Sequence, residues 1–422
     1  MRLSTISLLA MTLTACLAST AGAQPPNVVM IISDDQAWTD YGFMGHQVIQ
    51  TPRLDQLARE SVVFTRGYVP TSLCRPSLMT MITGLYPHQH KIVGNDPPPG
   101  TNRPAMLKHV QSVPTLPHML DELGYMSLQT GKWWEGNYRL GGFTHGMTHG
   151  DPQRGGRHGD VGLTIGRQGL KPIGDFLDEC GERPFFLWYA PLLPHTPHNP
   201  PPRLLDKYQQ RVDSAFVARY YAMCQWFDET CGQLLDMLDD RGLRDNTLVV
   251  YVTDNGWIQD PRANNFAPKS KRSPYDGGLR TPIMLRWPNK LRPLRDDTTL
   301  VSSIDLGPTI LAACGLKPTD AMPGTSLLGV SDGQPIQRNT LFGEIFEHDE
   351  VDIDAPVSSL LYRWCIDGYQ KLILPAGKEP AERYDLQSDP SETRNLAAEN
   401  PRLVESLTDR INAWWPLEAA HD

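Results

Sequence analysis

Three short unbroken apolar runs limit what this chain can fold into: NVVMIIS at Asn27–Ser33, PFFLWYA at 184–190 and TLVVYVT at Thr247–Thr253. No polar alternation interrupts them, so each reads as a strand covered on both faces, as in a sheet sandwiched between helices. The first run ends in Asp34-Asp35 and the third in Asp254-Asn255. Open α/β sheets place ligands beyond the C-terminal ends of such strands. A single acidic pair would pass as a turn with a helix cap. Two of them, each after a buried strand, point to a hard cation held by oxygen atoms.

Helices and further strands fill the intervals. Thr51 and Pro52 open a helix through Ala58, with Thr51 as its N-cap, and Val62, Val63 and Phe64 form a strand. Residues 115–123 are amphipathic, 126–131 read as a strand that presents Lys132 at its end, and 171–177 suggest a helix. The stretch 213–240 has helical periodicity and stops at Arg241-Gly242. Residues 281–287 are another strand and 304–313 another helix. Short strands near Leu341, Trp364 and Lys371, with a helix over 401–415, make a smaller C-terminal α+β unit. The expected division is a leader at 1–23, a catalytic domain at 24–335 and a C-terminal subdomain at 336–422.

The loop before C-R-P-S at 74–77 delivers Cys74 to a helix start, since Pro76 suits a first helical turn. Unpaired backbone N–H groups there would favour an anion beside the sulfur. A second candidate, His195, is held in P-H-T-P-H at 194–198, where flanking prolines fix its direction, as positioning a proton donor requires. Residues 141–167 are irregular and rich in Gly, His and Arg, including His145, His149, Arg154, Arg157 and His158. They form either an active-site rim or a plain surface loop.

The first 23 residues read as an export leader: Arg2, an apolar run, then Ala21-Gly22-Ala23 as the cleavage site. Within it, Leu13-Thr14-Ala15-Cys16 resembles a lipobox, which would instead leave a lipid anchor on Cys16. The expected location is therefore periplasmic or secreted, with membrane tethering as the alternative. No later run has the length of a transmembrane helix. A net charge of −9 without a basic block argues against nucleic acid as a partner. Seven cysteines in 422 residues do not make a disulfide scaffold. Cys224 and Cys231 fall on one expected helix, a rise of about 10.5 Å and too far for a bridge.

The chain resembles the sulfatase family, the formylglycine-dependent type I enzymes of the alkaline-phosphatase-like superfamily. The motifs that carry the resemblance are Asp34-Asp35, C-R-P-S with T-G at 83–84, G-K-W at 131–133, P-H-T-P, T-D-N-G at 253–256, Lys271 with Y-D-G-G-L-R at 275–280, and Y-D-L-Q-S-D-P-S-E at 384–392. Each alone is weak; their order together is specific. The resemblance implies an α/β fold with a large mixed central sheet flanked by helices and a small C-terminal subdomain. It implies that Cys74 is oxidised to formylglycine by a formylglycine-generating enzyme or another maturase, and that the hydrate supplies the nucleophile. Asp34, Asp35, Asp254 and Asn255, with residue 74, would hold Ca²⁺, with Mg²⁺ as the alternative. Lys132 and Lys271 would bind sulfate oxygens, and His195 would protonate the leaving alcohol.

Two positions depart from the family pattern. Leu78 stands where the family has Arg and Trp134 where it has His, both in the nucleophile's corner. A rebuilt corner would take its charge from Arg75 or a rim Arg, and its base from Glu135, His145, His149 or His158. Trp134, Glu135, His145, Arg154, His158 and His198 are the candidate substrate contacts, suited with Trp257 to a sulfated carbohydrate. Competing readings are a phosphodiester or phosphonate ester hydrolase on the same scaffold, and a catalytically silent binder of sulfated glycans.

Overall fold

The computed structural model describes residues 24–150 and 160–417. The leader with Cys16, and Arg154, Arg157 and His158, lie outside the described residues. Nine strands form one mixed sheet: β1 (Asn27–Ser33), β2 (Val62–Tyr68), β3 (Met126–Gly131), β4 (His145–Gly146), β5 (Phe185–Ala190), β6 (Thr247–Thr253), β7 (Arg280–Arg286), β8 (Leu294–Asp296) and β9 (Val301–Ser302). Their order is β4-β3-β5-β1-β6-β7-β2-β8, with β9 also on β2. From β4 to β6 all neighbours are parallel, whereas β7 runs antiparallel to both β6 and β2. The three apolar runs are therefore β1, β5 and β6, adjacent at the centre of the sheet. Val28 to Ile31 are wholly buried. Each such side chain contributes roughly 1.5–3 kcal/mol by leaving water.

One apolar cluster fills each face. Val29, Ile31, Leu187, Val249 and Tyr251 meet Phe227, Leu234 and Leu238 of the long helix Ala215–Asp240. Met30, Ile32, Val250 and Val252 face the opposite way, into the cluster that holds Cys74 and Leu78. A second, antiparallel sheet comprises β10 (Thr340–Phe346), β11 (Leu360–Asp367), β12 (Gln370–Pro375) and β13 (Glu382–Asp385), followed by the helix Pro401–Trp414. Leu341, Trp364 and Ile373 belong to the same cluster as Cys74, so one face of this sheet adds to the main core, while Cys365 and Leu372 pack with Leu407 and Ile411 of the C-terminal helix in a smaller cluster of their own.

Local expectations were close, with physical differences. β2 runs four residues further than its apolar start, because after a register shift Gly67 and Tyr68 gain partners in β7 and β9. Thr51 is the N-cap of the helix Pro52–Arg59, as expected, but its side chain makes no capping hydrogen bond. Its hydroxyl donates to Asp55, and the open N–H groups of Arg53 and Leu54 are taken by Asp228, reaching across from the long helix. The six described cysteines are all buried and free. Among the described residues no helix is long and apolar enough to cross a membrane.

Candidate active site

The register of β1 on β6 pairs Ser33 with Thr253, so Asp34-Asp35 and Asp254-Asn255 emerge side by side from parallel strand ends. Backbone and side chains then lock them together. Asp254 N–H donates to the Ser33 carbonyl at 2.9 Å, and Asp254 Oδ1 accepts from the N–H groups of Asp35 at 3.1 Å and Asn255 at 2.7 Å. Asn255 Nδ2 donates to Asp35 Oδ1 at 2.6 Å. Asp35 holds a left-handed backbone, φ 60°, a strained position for a residue with a Cβ that these bonds overdetermine.

Both lysines enter this carboxylate group. Lys132 Nζ donates to Asp34 Oδ1 at 2.6 Å and lies 3.4 Å from Asp254 Oδ2; Lys271 Nζ donates to both Asp35 oxygens at 2.6 and 2.7 Å. Burial would raise Asp35's carboxyl, but Lys271 above all, with Lys132, outweighs it and holds it below the usual carboxylate range. Burial does raise Asp34 well above that range, against Lys132 and with help from Asp254 and Asp35. Asp34 Oδ2 is buried without a hydrogen-bond partner. One ligand atom from each of Asp34, Asp35, Cys74 and His195 lies within 4.8 Å of the others. An oxygen-rich cluster with an orphaned carboxylate oxygen fits a hard divalent cation.

Cys74 is the first residue of the helix Cys74–Thr83, and its Sγ sits 3.3 Å from Asn255 Oδ1. Burial pushes the thiol up to about 11, beyond what Lys132 and Lys271 recover. At neutral pH an unmodified Cys74 is therefore a protonated thiol, a poor nucleophile despite its helix terminus. His195 follows β5 and donates Nδ1–H to the Thr196 carbonyl at 2.6 Å, leaving Nε2 3.4 Å from Asp35 Oδ2. Burial, with Lys132, keeps its imidazole well below the ordinary histidine range, so it is neutral here.

Lys132 owes its place to Gly131. That residue has φ +76°, and a Cβ on it would lie 1.8 Å from the Ala190 carbonyl oxygen of β5. Gly131→Ala is expected to shift Lys132 and cut kcat about 100-fold, since an ångström of misplacement costs that much. Steady-state kinetics with a thermal-melt control checks this; wild-type kcat would show that the loop absorbs the methyl group.

Cys74, His195 and Lys271 open on a cavity of about 250 Å³, walled also by Trp134, Trp257, Phe266, Asn95, Arg272 and His348. Five residues expected at this corner are placed differently by the structure. Arg75 supplies it no charge: its guanidinium is 1% exposed and bound to Glu135 at 2.6 and 2.8 Å, Glu350 at 3.0 Å and two backbone carbonyls. Glu135 is accordingly no base or substrate contact, being the buried counter-ion of Arg75. His145 lies on the edge strand β4, 3.2 Å from Glu179 and packed on Phe176, outside the cavity wall. His149 packs on Tyr138. His198 stands behind the wall, its ring 6.0 Å from that of Trp257. Leu78 is buried in the core.

Asn95, Arg272 and His348 carried no motif that would have marked them. The Y-D-G-G and S-D-P-S-E motifs prove structural: Lys371 Nζ sits 2.9 Å from Asp276 and 2.8 Å from Glu392, and Glu392 accepts the Asp276 N–H at 2.6 Å. This buried group ties the segment after Lys271 to the second sheet.

Comparison with known proteins agrees with this geometry. The sulfatase family profile matches residues 26–316, and that of the N-sulphoglucosamine sulphohydrolase C-terminal region matches 266–414. N-acetylgalactosamine-6-O-sulfatase of Bacteroides thetaiotaomicron is 25% identical over 499 aligned positions, covering 93% of each chain. Human arylsulfatase A is 27% identical, over 94% of this chain and 89% of its own. Among solved structures, Ps i-CgsB in complex with k-i-k-neocarrahexaose superposes with a TM-score of 0.76 at 22% identity, over 93% of each chain. The phosphonate monoester hydrolase of Agrobacterium radiobacter gives 0.73 at 19% identity, over 92% and 95%.

Proposed function

The chain belongs to the sulfatase family, and from that premise we propose that it hydrolyses the sulfate ester of a sulfated carbohydrate, with residue 74 as nucleophile. It is a sulfuric ester hydrolase of alkaline-phosphatase-like fold. The carbohydrate substrate is supported by relatives whose names specify N-acetylgalactosamine, and by the aromatic faces of Trp257, Phe266 and Trp134 beside Arg272 in the cavity. The observation that carries the reading is the carboxylate group with its orphaned Asp34 oxygen, next to Cys74 and between two lysines.

Asp34, Asp35, Asp254 and Asn255 would hold the cation, Ca²⁺ by the character of the donors. When present, the ion would draw charge from sulfate oxygens, and formylglycine formed from Cys74 would supply the attacking hydroxyl. Lys132 and Lys271 exchange part of their carboxylate contact for sulfate oxygens and stabilise the charge that builds on them. His195 enters neutral; an anionic ester within reach favours a proton on Nε2, which then passes to the departing alcohol oxygen. Export through the leader would expose the enzyme to polymeric substrates and to its maturase on the way.

The test is mass spectrometry of the tryptic peptide 67–91, left whole because Arg75 precedes Pro76, from protein made in its native host. Formylglycine at position 74, with release of sulfate from a phenyl sulfate faster than phosphate from the matching phosphate ester, is the expected result. Cys74→Ala should then lose sulfate release with its melting temperature kept. An unmodified thiol in a protein that binds sulfated glycan without releasing sulfate would overturn the reading.

A further inference from the structure

Sulfuryl transfer through a hydroxyl at residue 74 needs a proton acceptor on the nucleophile's side, and the residues already described do not supply one. His195 faces Asp35, both lysines are ion-paired, Glu135 is committed to Arg75, and Trp134 offers an indole. The second sheet brings another group. The segment after β10 runs along residues 94–96: the His348 carbonyl accepts the Asn95 N–H at 2.8 Å, and Glu350 N–H donates to Asp96 at 2.9 Å. Glu350, two residues on, is held by Arg75 and by the N–H of Gly94 at 3.2 Å. His348 is thereby fixed in the wall of the Cys74 cavity.

Its ring has a defined tautomer. Nδ1–H donates to Asp349 Oδ1 at 2.5 Å, with Asp96 Oδ2 at 3.7 Å. Nε2 lies 3.4 Å from Asn95 Nδ2, whose orientation is set because Asn95 Oδ1 accepts the Arg75 backbone N–H at 2.9 Å. An amide N–H directed at Nε2 means that this nitrogen carries a lone pair. A carboxylate on Nδ1 and a lone pair on Nε2 are the arrangement of an oriented imidazole base. Through Asn95 that base is two hydrogen bonds from the backbone of Arg75, the residue next to Cys74.

We propose that His348, oriented by Asp349, is the general base that releases sulfate from residue 74. Resting on the sulfate-ester reading above, the step is balanced as follows. The second hydroxyl of the hydrated aldehyde gives its proton to His348 Nε2. The O–H pair becomes the second C–O bond of the regenerated aldehyde, the bond from that carbon to the sulfate oxygen breaks, and its pair leaves on sulfate. His348 then returns the proton to water.

The experiment uses the matured enzyme and its His348→Ala, His348→Gln and Asp349→Asn variants. For His348→Ala, kcat should fall about 10²–10⁴-fold, the usual weight of a general base. A burst of one equivalent of alcohol should survive, and the 67–91 peptide from acid-quenched steady state should carry the mass of one SO₃. Imidazole should restore part of the rate to His348→Ala and none to His348→Gln, the variant that keeps the side chain's volume. Asp349→Asn should show the same mass increment with a smaller loss. A raised KM at unchanged kcat, or loss of both burst and increment in variants that keep their melting temperature, would overturn the assignment. An inactive wild type with a thiol at 74 would instead remove the sulfate-ester reading itself.

Discussion

Asp254→Ala is expected to reduce sulfate release by about 10³-fold or more and to abolish the rise in melting temperature expected of the wild type on adding Ca²⁺. Asp254 does two jobs. Its Oδ1 accepts two backbone N–H groups and so fixes Asp35 and Asn255, while Oδ2 faces Lys132. Without it the cluster loses one carboxylate of three, and Asp35 and Asn255 lose the acceptor that holds their backbone. Lewis-acid stabilisation of a transferring oxyanion is worth several kcal/mol, and each 1.36 kcal/mol is a factor of ten in rate. Turnover with and without chelator, beside calcium-dependent melting, checks the prediction. A variant with wild-type rate and wild-type calcium stabilisation would show that the cation, if bound, sits elsewhere.

Arg75→Met should lower folding stability by about 3–5 kcal/mol, because it leaves Glu135 and Glu350 as buried carboxylates without a counter-ion. Burial already raises Glu350 above the usual carboxylate range, and Arg75 is what opposes that rise. Urea unfolding measures the loss, which is a large share of the roughly 5–15 kcal/mol that holds a domain. Adding Glu135→Leu and Glu350→Leu should return much of it, since an apolar set of similar volume carries no unpaired charge. A loss under about 1 kcal/mol in Arg75→Met would mean that the two carboxylates reach water.

What the sequence revealed of this architecture followed from the range over which its signals act. Runs such as NVVMIIS and TLVVYVT declare burial by themselves, and the acidic pairs declare their place by following them, so the sheet centre and Asp34, Asp35, Asp254 and Asn255 could be read directly. Lys132 and Lys271 were legible as site residues, though not their contact with the carboxylates. Arg75 was misjudged because nothing beside it says that Glu135, 60 positions away, and Glu350, 275 away, will meet it in the core. His348 was missed for the same reason. Its meaning depends on Asn95 and Asp96, which only the packing of the second sheet brings alongside, and no local pattern records that packing. His145 and Glu135 were overvalued because a titratable residue near a motif looks the same whether it points into a cavity or into a counter-ion.

The tie between Arg75 and Glu350 also sets an order in time. A ribosome delivers residues 74–77 long before it delivers 350, and Lys371 and Glu392 come later still. Until then the helix that begins at Cys74 has a guanidinium beneath it with only half of its eventual carboxylate partners, and the segment after Lys271 lacks the anchor that Asp276 provides. A nascent or prematurely ended chain thus cannot complete its catalytic corner. Until those residues are in place, the helix that carries Cys74 lacks contacts that hold it in the finished site.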